Sequence, residues 1–268
     1  MTEAVDSGAA AGRLHGWAVV CLRPRADQRA AAAAVRAFGA RPLALPGLRL
    51  ERAPEPQAAR AALAAALDCD DAVFTSPAAV RFAARVLPLS DMRKRMFAVG
   101  SGTAAALRAH GLDAKQPPPD AMHGDGVLAL PELAAGTGPV GIVTAPGGRD
   151  AIPATLRARG RAVRVAEVYR RLPPRWRRAE VAALVGSTPP RAVLVTSAQA
   201  LRYVLDALPT PARATLLASV AVVSSDRLRA IASDAGFAHV LRAPSPTIDA
   251  LLAALAADPR AASTAERA

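Results

Sequence analysis

The sequence predicts an α/β protein made of two similar, doubly wound parallel-sheet domains. Three observations carry this. Short apolar runs alternate with longer alanine-rich stretches, several of those stretches stop at glycine, and the order of the runs repeats along the chain. The strand candidates are Trp17–Leu22, Asp71–Ser76, Met96–Gly100, Val140–Ala145, Arg191–Ser197 and Ser219–Ser225. Each is brief, apolar on both faces and ends in small, hydroxyl or proline residues, as a parallel strand covered on both sides does. Helices are expected over Asp27–Phe38, Pro77–Val86, Thr103–His110, Asp150–Arg159, Ala198–Leu208 and Asp226–Ala235. Gly39, Gly111, Gly160 and Gly236 follow four of them, where glycine closes a helix best. Strands alternating with helices in this way indicate βαβ units.

The repeats organise the chain. AVFTSPAAVRFAARVL, from Ala72, resembles AVLVTSAQALRYVLDAL, from Ala192, and each is followed by another strand, helix and glycine. VVCLRPRADQ, from Val19, resembles GIVTAPGGRD, from Gly141, with Pro24 and Pro146 at matching places. Two sets of βα units predict two domains of one doubly wound, flavodoxin-like fold. The first unit has no partner strands nearby. The chain leaves it through RPLALPGLRLERAPEP and returns through AVRVAEVYRRLPPRW, both extended and broken by proline. The expected first domain is therefore discontinuous, 15–46 plus 173–258, with a second domain, 52–166, inserted and a two-stranded linker between them. Residues 1–14 and 259–268 are expected to be disordered tails.

Composition narrows the function. Of 268 residues, 52% are hydrophobic and only 3% aromatic. No apolar run nears the roughly 18 residues that span a bilayer. MTEAVDSGAAAGRLHG has acidic residues and no apolar stretch, so no secretory leader is expected. Cys21 and Cys69 form no CxxC pair, and His15, His110, His123 and His239 are scattered, so no metal or redox site is expected and the cytoplasm is the expected location. The formal charge is +12, nearly all from arginine, with Lys94 and Lys115 the only lysines. The arginines form no single stripe and stacking aromatics are scarce, which weakens a nucleic-acid reading and leaves open a small polyanion.

In open parallel sheets the ligand lies at the carboxyl ends of the strands. Those ends carry Arg23-Pro24-Arg25, Thr75-Ser76, Gly100-Ser101-Gly102-Thr103, Pro146-Gly147-Gly148-Arg149, Thr196-Ser197 and Ser224-Ser225. Free amides, helix dipoles, hydroxyls and arginine at such places suit anions. Any one Ser or Thr is more simply a helix cap, and the whole set is more simply a binding edge. Arg149, after paired glycines, is placed to fork onto a carboxylate. Neither a phosphate-binding GxxxxGK[ST] loop nor GxSxG is present, no histidine stands at a strand end, and Asp70 and Asp71 read as solvated turn residues. Tyr169, on the return segment, either offers a phenol to the ligand or packs against the hinge.

The ordered set LRPRADQ, FTSPAAV, AVGSGTAAALRAHG, APGGRDAIPATLRARG, EVYRR, VTS and SSDRLRAIASDAGF resembles the uroporphyrinogen-III synthase family over about residues 17–256. Leu22 stands where the family commonly has threonine. The resemblance implies a cofactor-free cytoplasmic lyase, a monomer acting on hydroxymethylbilane with no nucleic-acid or membrane partner. Loss of water would make an azafulvene at ring A; ring D would attack through its substituted carbon, and a spiro intermediate would reopen and reclose with ring D inverted. Tyr169 matches the family tyrosine thought to assist departure of the hydroxyl. Arg23, Ser76, Thr103, Gly148, Arg149, Ser197 and Ser225 would hold carboxylates. The alternative is a non-enzymatic, bilobed cytosolic protein that binds an anionic metabolite.

Overall fold

The computed structural model describes residues 14–89, 94–147 and 151–261. The chain divides into two compact units. One takes the residues up to Arg49 and from Leu172 onward, and the other takes Leu50–Arg171.

Unit 1 begins with β1 (Ala18–Cys21), a 3-10 turn over Arg25–Asp27, α1 (Gln28–Ala37) and β2 (Arg41–Ala44). After β3 (Arg49–Arg52) the chain builds unit 2: α2 (Pro56–Leu67), β4 (Asp71–Phe74), α3 (Pro77–Ala83), β5 (Arg95–Ala98), α4 (Ser101–Arg108), the short α5 (Gly124–Leu128) and α6 (Pro131–Ala134), β6 (Val140–Thr144), α7 (Ala151–Ala158), β7 (Val163–Glu167) and β8 (Tyr169–Leu172). Unit 1 then finishes with α8 (Arg178–Val185), β9 (Arg191–Val195), α9 (Ala198–Ala207), α10 (Thr210–Leu217), β10 (Val220–Val223), α11 (Asp226–Asp234), β11 (Val240–Arg242) and α12 (Ile248–Ala256). The sheets run β11-β10-β9-β1-β2 and β5-β4-β6-β7, and β3 pairs with β8 in a separate ribbon. Ala53 donates to the Val168 carbonyl just beyond that ribbon, so its strands are antiparallel. Every other strand pair is parallel. The α/β class and the doubly wound parallel sheets expected from the sequence are what the chain forms.

The repeats have a spatial meaning. Ala192 faces Val220 on one side and Val19 on the other, and Val19 faces Pro42. Its counterpart Ala72 faces Met96 and Gly141, and Gly141 faces Arg164. Thus β10-β9-β1-β2 and β5-β4-β6-β7 share one neighbour order and one register. Even the outer place of β11 has an echo, a parallel bridge from Lys115 to Phe97 beside β5. Unit 2 is unit 1 circularly permuted: it starts from the equivalent of β9 and ends on the equivalent of β2.

Packing explains the strand compositions. β1, β4, β6 and β10 are buried throughout, so both faces are apolar except at Asp71 and Thr144. In β6 a glycine interrupts the branched residues because a Cβ at Gly141 would lie 1.9 Å from the Ala66 carbonyl oxygen of α2. The edges β2 and β7 each bury only one residue, Leu43 and Ala166, and the sequence reading took them for parts of the two crossing segments. Tail residues also differ from expectation. Leu14 and Ala261 are buried in the unit 1 core, and 259–261 are helical, because their apolar side chains close the layer over α1 and α12. Residues 1–13 and 262–268 of the expected tails lie outside the described residues.

Asp71 is not a solvated turn residue. It is fully buried in β4, with Oδ1 2.6 Å from Arg95 Nε and Oδ2 2.6 Å from Arg161 Nη2. Arg161, itself buried, also donates to the carbonyls of Leu133 and Gly138. One carboxylate therefore ties β4, β5, the turn before β7 and the segment after α6 at the amino edge of the sheet.

Removing one partner of a buried pair strands the other charge. Asp71→Ala is expected to lower unfolding stability by about 3–5 kcal/mol, read by urea denaturation; a loss below about 1 kcal/mol, the range of an exposed pair, would show that the cluster is merely tolerated. Deleting residues 1–40 removes β1, the strand joining β2 to β9. Unit 1 should then lose its cooperative unfolding transition, and a 170–260 fragment that melts cooperatively would contradict the pairing as its organising contact.

Candidate functional site

Each sheet has a point where connections leave in opposite directions, and ligand crevices form outside the carboxyl ends of the strands there. In unit 2 that point lies between β4 and β6. After β4, Thr75 Oγ1 donates to the Val143 carbonyl at 3.3 Å and lies 2.9 Å from Thr144 Oγ1, which knits the two strand ends together. Ser76 then caps α3, accepting the Ala79 amide at 3.1 Å. After β6 comes Gly147, whose φ of +63° favours glycine. Gly148 and Arg149 lie outside the described residues.

The chain crosses this edge once more at β8. The Val168 amide donates to the Thr144 carbonyl at 3.1 Å and fixes where Tyr169 begins the strand. The Tyr169 ring is 2% exposed and stacks on Phe82 of α3, centroids 5.3 Å apart and planes 14° from parallel. Its hydroxyl lies 3.0 Å from Ser76 Oγ. Arg171 Nη2 donates to the same phenol oxygen at 3.2 Å, and the Arg171 Cζ lies 5.5 Å from the ring centroid. Tyr169 thus packs into the unit 2 core while its hydroxyl sits in a polar cluster at the strand ends.

Thr103, in the first turn of α4 after β5, is 4% exposed, and its amide donates to the Gly100 carbonyl at 2.9 Å. Beside it the Ser101 amide meets the Met122 thioether at 3.4 Å. Thr103 does not touch the Ser76–Tyr169 pair in any described contact; it occupies the neighbouring strand end.

Unit 1 has its own such point, between β1 and β9. Gln28 Nε2 donates to the carbonyls of Cys21 and Arg23, which holds the end of β1 in place. Arg23 Nη2 donates to the Pro246 carbonyl at 2.6 Å, while its Nε is buried and finds no partner among the described residues. Ser197 caps α9 through the Ala200 amide at 3.3 Å, and Ser225 caps α11 through the Leu228 amide at 3.3 Å. Both hydroxyls therefore do the capping work that any single serine does, and each keeps its own O–H free of it. Just past Arg23, Arg25 forks onto Glu180 of α8, at 2.7 Å from Oε1 and 3.0 Å from Oε2. Glu180 Oε2 also accepts the Arg177 amide at 2.8 Å, closing the start of that helix. Burial pushes the Cys21 thiol up, which disfavours a nucleophilic thiolate there. Among the described residues no group of three or more His, Cys, Asp or Glu is placed to hold a metal ion.

Sequence reasoning missed Phe82, Thr144 and Arg171. Arg171 was legible in principle: residues i and i+2 of a strand share a face, which puts its side chain beside Tyr169. The Phe82 stack joins α3 to a strand far away in sequence and left no local signal.

These features define an α/β protein with two parallel sheets whose carboxyl edges gather hydroxyl, amide and guanidinium donors, one of them beside a buried phenol. The family description Uroporphyrinogen-III synthase HemD matches residues 29–253. The chain belongs to the uroporphyrinogen-III synthase family, whose place is tetrapyrrole biosynthesis. Its fold is similar to that of a mutant uroporphyrinogen III synthase from Thermus thermophilus, with TM-score 0.59 and 19% identity over 92% of this chain and 99% of that one. It is also similar to uroporphyrinogen-III synthetase from Helicobacter pylori, with TM-score 0.54 and 16% identity over 88% and 96% of the respective chains.

The Arg25 guanidinium holds the Glu180 carboxyl below the usual carboxylate range, chiefly by the hydrogen bond between them. A carboxyl depressed by folding stabilises the folded state above its unfolded pKa and loses that contribution as pH falls through the folded value. The Tm difference between wild type and Arg25→Met should therefore shrink between about pH 6 and about pH 3, read by thermal melts. A difference that stays constant over that range would dismiss the pair as a stabilising contact.

Proposed function

We propose that this chain catalyses the cyclisation of hydroxymethylbilane to uroporphyrinogen III, a lyase reaction that loses water and inverts ring D. The observation that carries the proposal is the Tyr169 hydroxyl, 3.0 Å from the α3 cap Ser76 at the unit 2 switch point, within a chain of this family. The substrate brings its own leaving group, an alcohol on a carbon that the adjoining pyrrole nitrogen activates. The protein needs to protonate that alcohol, fix the chain for attack by the substituted carbon of ring D, and disfavour direct closure. Tyr169 gives the proton. Donors at the strand ends, Ser76, Thr103, Gly148 and Arg149 in unit 2 and Arg23, Ser197 and Ser225 in unit 1, take the substrate carboxylates.

The spare O–H of each capping serine, together with helix N-termini, suits such acceptors. Arg23 suits a carboxylate in a further way, since its guanidinium is bonded to the Pro246 carbonyl and no carboxylate among the described residues pairs with it. The reaction so written calls for no cofactor. The substrate is a small polycarboxylate, and we propose that the protein works as a cytoplasmic monomer without nucleic-acid or membrane partners. No helix among the described residues is long and apolar enough to cross a membrane.

The test supplies freshly generated hydroxymethylbilane and separates the oxidised porphyrin isomers. Isomer III above the spontaneous isomer I background is expected. Tyr169→Phe keeps the ring on Phe82 and removes the acid, so Tm should move little while the rate falls by about 10²- to 10⁴-fold. Isomer I alone, from protein shown to be folded, would end the enzyme assignment.

A further inference from the structure

The Tyr169 hydroxyl has a second polar neighbour, and hydrogen accounting gives it a role. Arg171 Nη2 lies 3.2 Å from the phenol oxygen, and a guanidinium only donates, so it occupies one lone pair there. Ser76 Oγ lies 3.0 Å from the same oxygen and already accepts the Ala79 amide. The two hydroxyls own two hydrogens, and one of them fills the gap between the oxygens. If Ser76 supplies it, the phenol oxygen accepts from two donors and the phenol hydrogen is the one left over, free for an external acceptor. If Tyr169 supplies it, the serine hydrogen is left over instead. In either arrangement the guanidinium donates to the phenol oxygen, which polarises the phenol O–H and favours negative charge on that oxygen once its proton has left.

Arg171 is well placed to act this way. It is half-buried, its Cζ lies 5.5 Å from the Tyr169 centroid, and its Nη1 faces the Pro146 carbonyl at 3.5 Å. No carboxylate pairs with it among the described residues, whereas the adjoining Arg170 is paired with Glu51 at 2.9 Å. Its charge is therefore directed at the phenol. We propose that Arg171 is a positioning residue that stabilises the phenolate left when the Tyr169 proton departs. This inference rests on the proposed role of Tyr169 as proton donor. In the step, the bond from the methylene carbon to the hydroxyl oxygen breaks with its electron pair on oxygen. The Tyr169 proton joins that oxygen, water leaves, and the pyrrole nitrogen pair fills the new exocyclic double bond. The phenolate, held by Arg171 and Ser76, regains a proton when the closed macrocycle sheds one on restoring its pyrrole rings. A preorganised donor aimed at charge that develops in the transition state affects kcat more than substrate binding.

The test compares Arg171→Met, which keeps an apolar stem over the ring, Arg171→Lys, Tyr169→Phe and the double variant Tyr169→Phe/Arg171→Met in the isomer III assay, with Tm measured for each. Arg171→Met should lower kcat by about 10²-fold with KM nearly unchanged. Arg171→Lys should recover part of that loss, and Arg171→Met should cost nothing further once Tyr169 is Phe. A raised KM at wild-type kcat would make Arg171 a carboxylate ligand and overturn the proposal. So would losses that multiply in the double variant. Wild-type protein that yields only isomer I would overturn the functional reading and this inference together; active wild type with either of the other results would overturn the inference alone.

Discussion

Both sheets are organised by one pair of parallel strands from which the chain departs in opposite directions, β1 with β9 and β4 with β6. Because the connecting helices lie on opposite faces, the loops part outside the carboxyl ends of that pair and leave room for a ligand. The polar groups discussed above are placed by this constraint. Ser76 and Thr144 end one pair, Arg23 and Ser197 end the other, and Thr103 and Ser225 follow the strands next in line. Tyr169 reaches the same edge of unit 2 only because β7 lies beside β6 and passes directly into β8. At the opposite, amino edge the buried Asp71 cluster locks the sheet, so the ion-paired carboxylate and the hydroxyl-bearing strand ends lie at opposite ends of the strands.

The circular relation between the units explains why similar segments fulfil different duties. Ser76 and Ser197 cap equivalent helices, yet only Ser76 has a tyrosine hydroxyl beside it. Continued along the chain, the offset set by the shared register brings Gly47 of unit 1 to the count of Tyr169 in unit 2. A Cβ at Gly47 would lie 2.6 Å from the Leu22 carbonyl oxygen and 2.9 Å from Ala200 Cβ, so no ring fits. One unit spends this position on close backbone packing and the other on a phenol, which is an asymmetry of chemistry built on a symmetric frame.

Much of this frame was legible in the sequence because parallel strands covered on both sides must be apolar throughout, and the chain marks their ends with serine, threonine, glycine and proline. The strand and helix echoes were legible for the same reason. The edge strands β2 and β7 were not: β2 is RPLA, broken by Pro42 and followed by Pro46, and β7 is VRVAE with Arg164 and Glu167 open, so they read as connection. Asp71 read as a turn because a lone carboxylate gives no sign that two arginines will come to it from Arg95 and Arg161. Ser76, Ser197 and Ser225 were legible as helix starts, while their value to a ligand depends on which strand ends become neighbours. Tyr169 stood out through resemblance; its neighbour Arg171 follows from strand periodicity, whereas the approach of Ser76 to its hydroxyl is a matter of tertiary contact.

The division of unit 1 by unit 2 also orders events during synthesis. All strands of unit 2 emerge from the ribosome before β9 does, so the inserted unit completes its sheet from a contiguous stretch of chain. β1 and β2, made first, must wait with one side of β1 lacking a partner until residues 191–195 emerge. An apolar strand with open amides and carbonyls is a template for wrong pairing. The strand made first in unit 1 thus stays open on one side until unit 2 has been made, an interval in which the nascent chain is most exposed to wrong pairing.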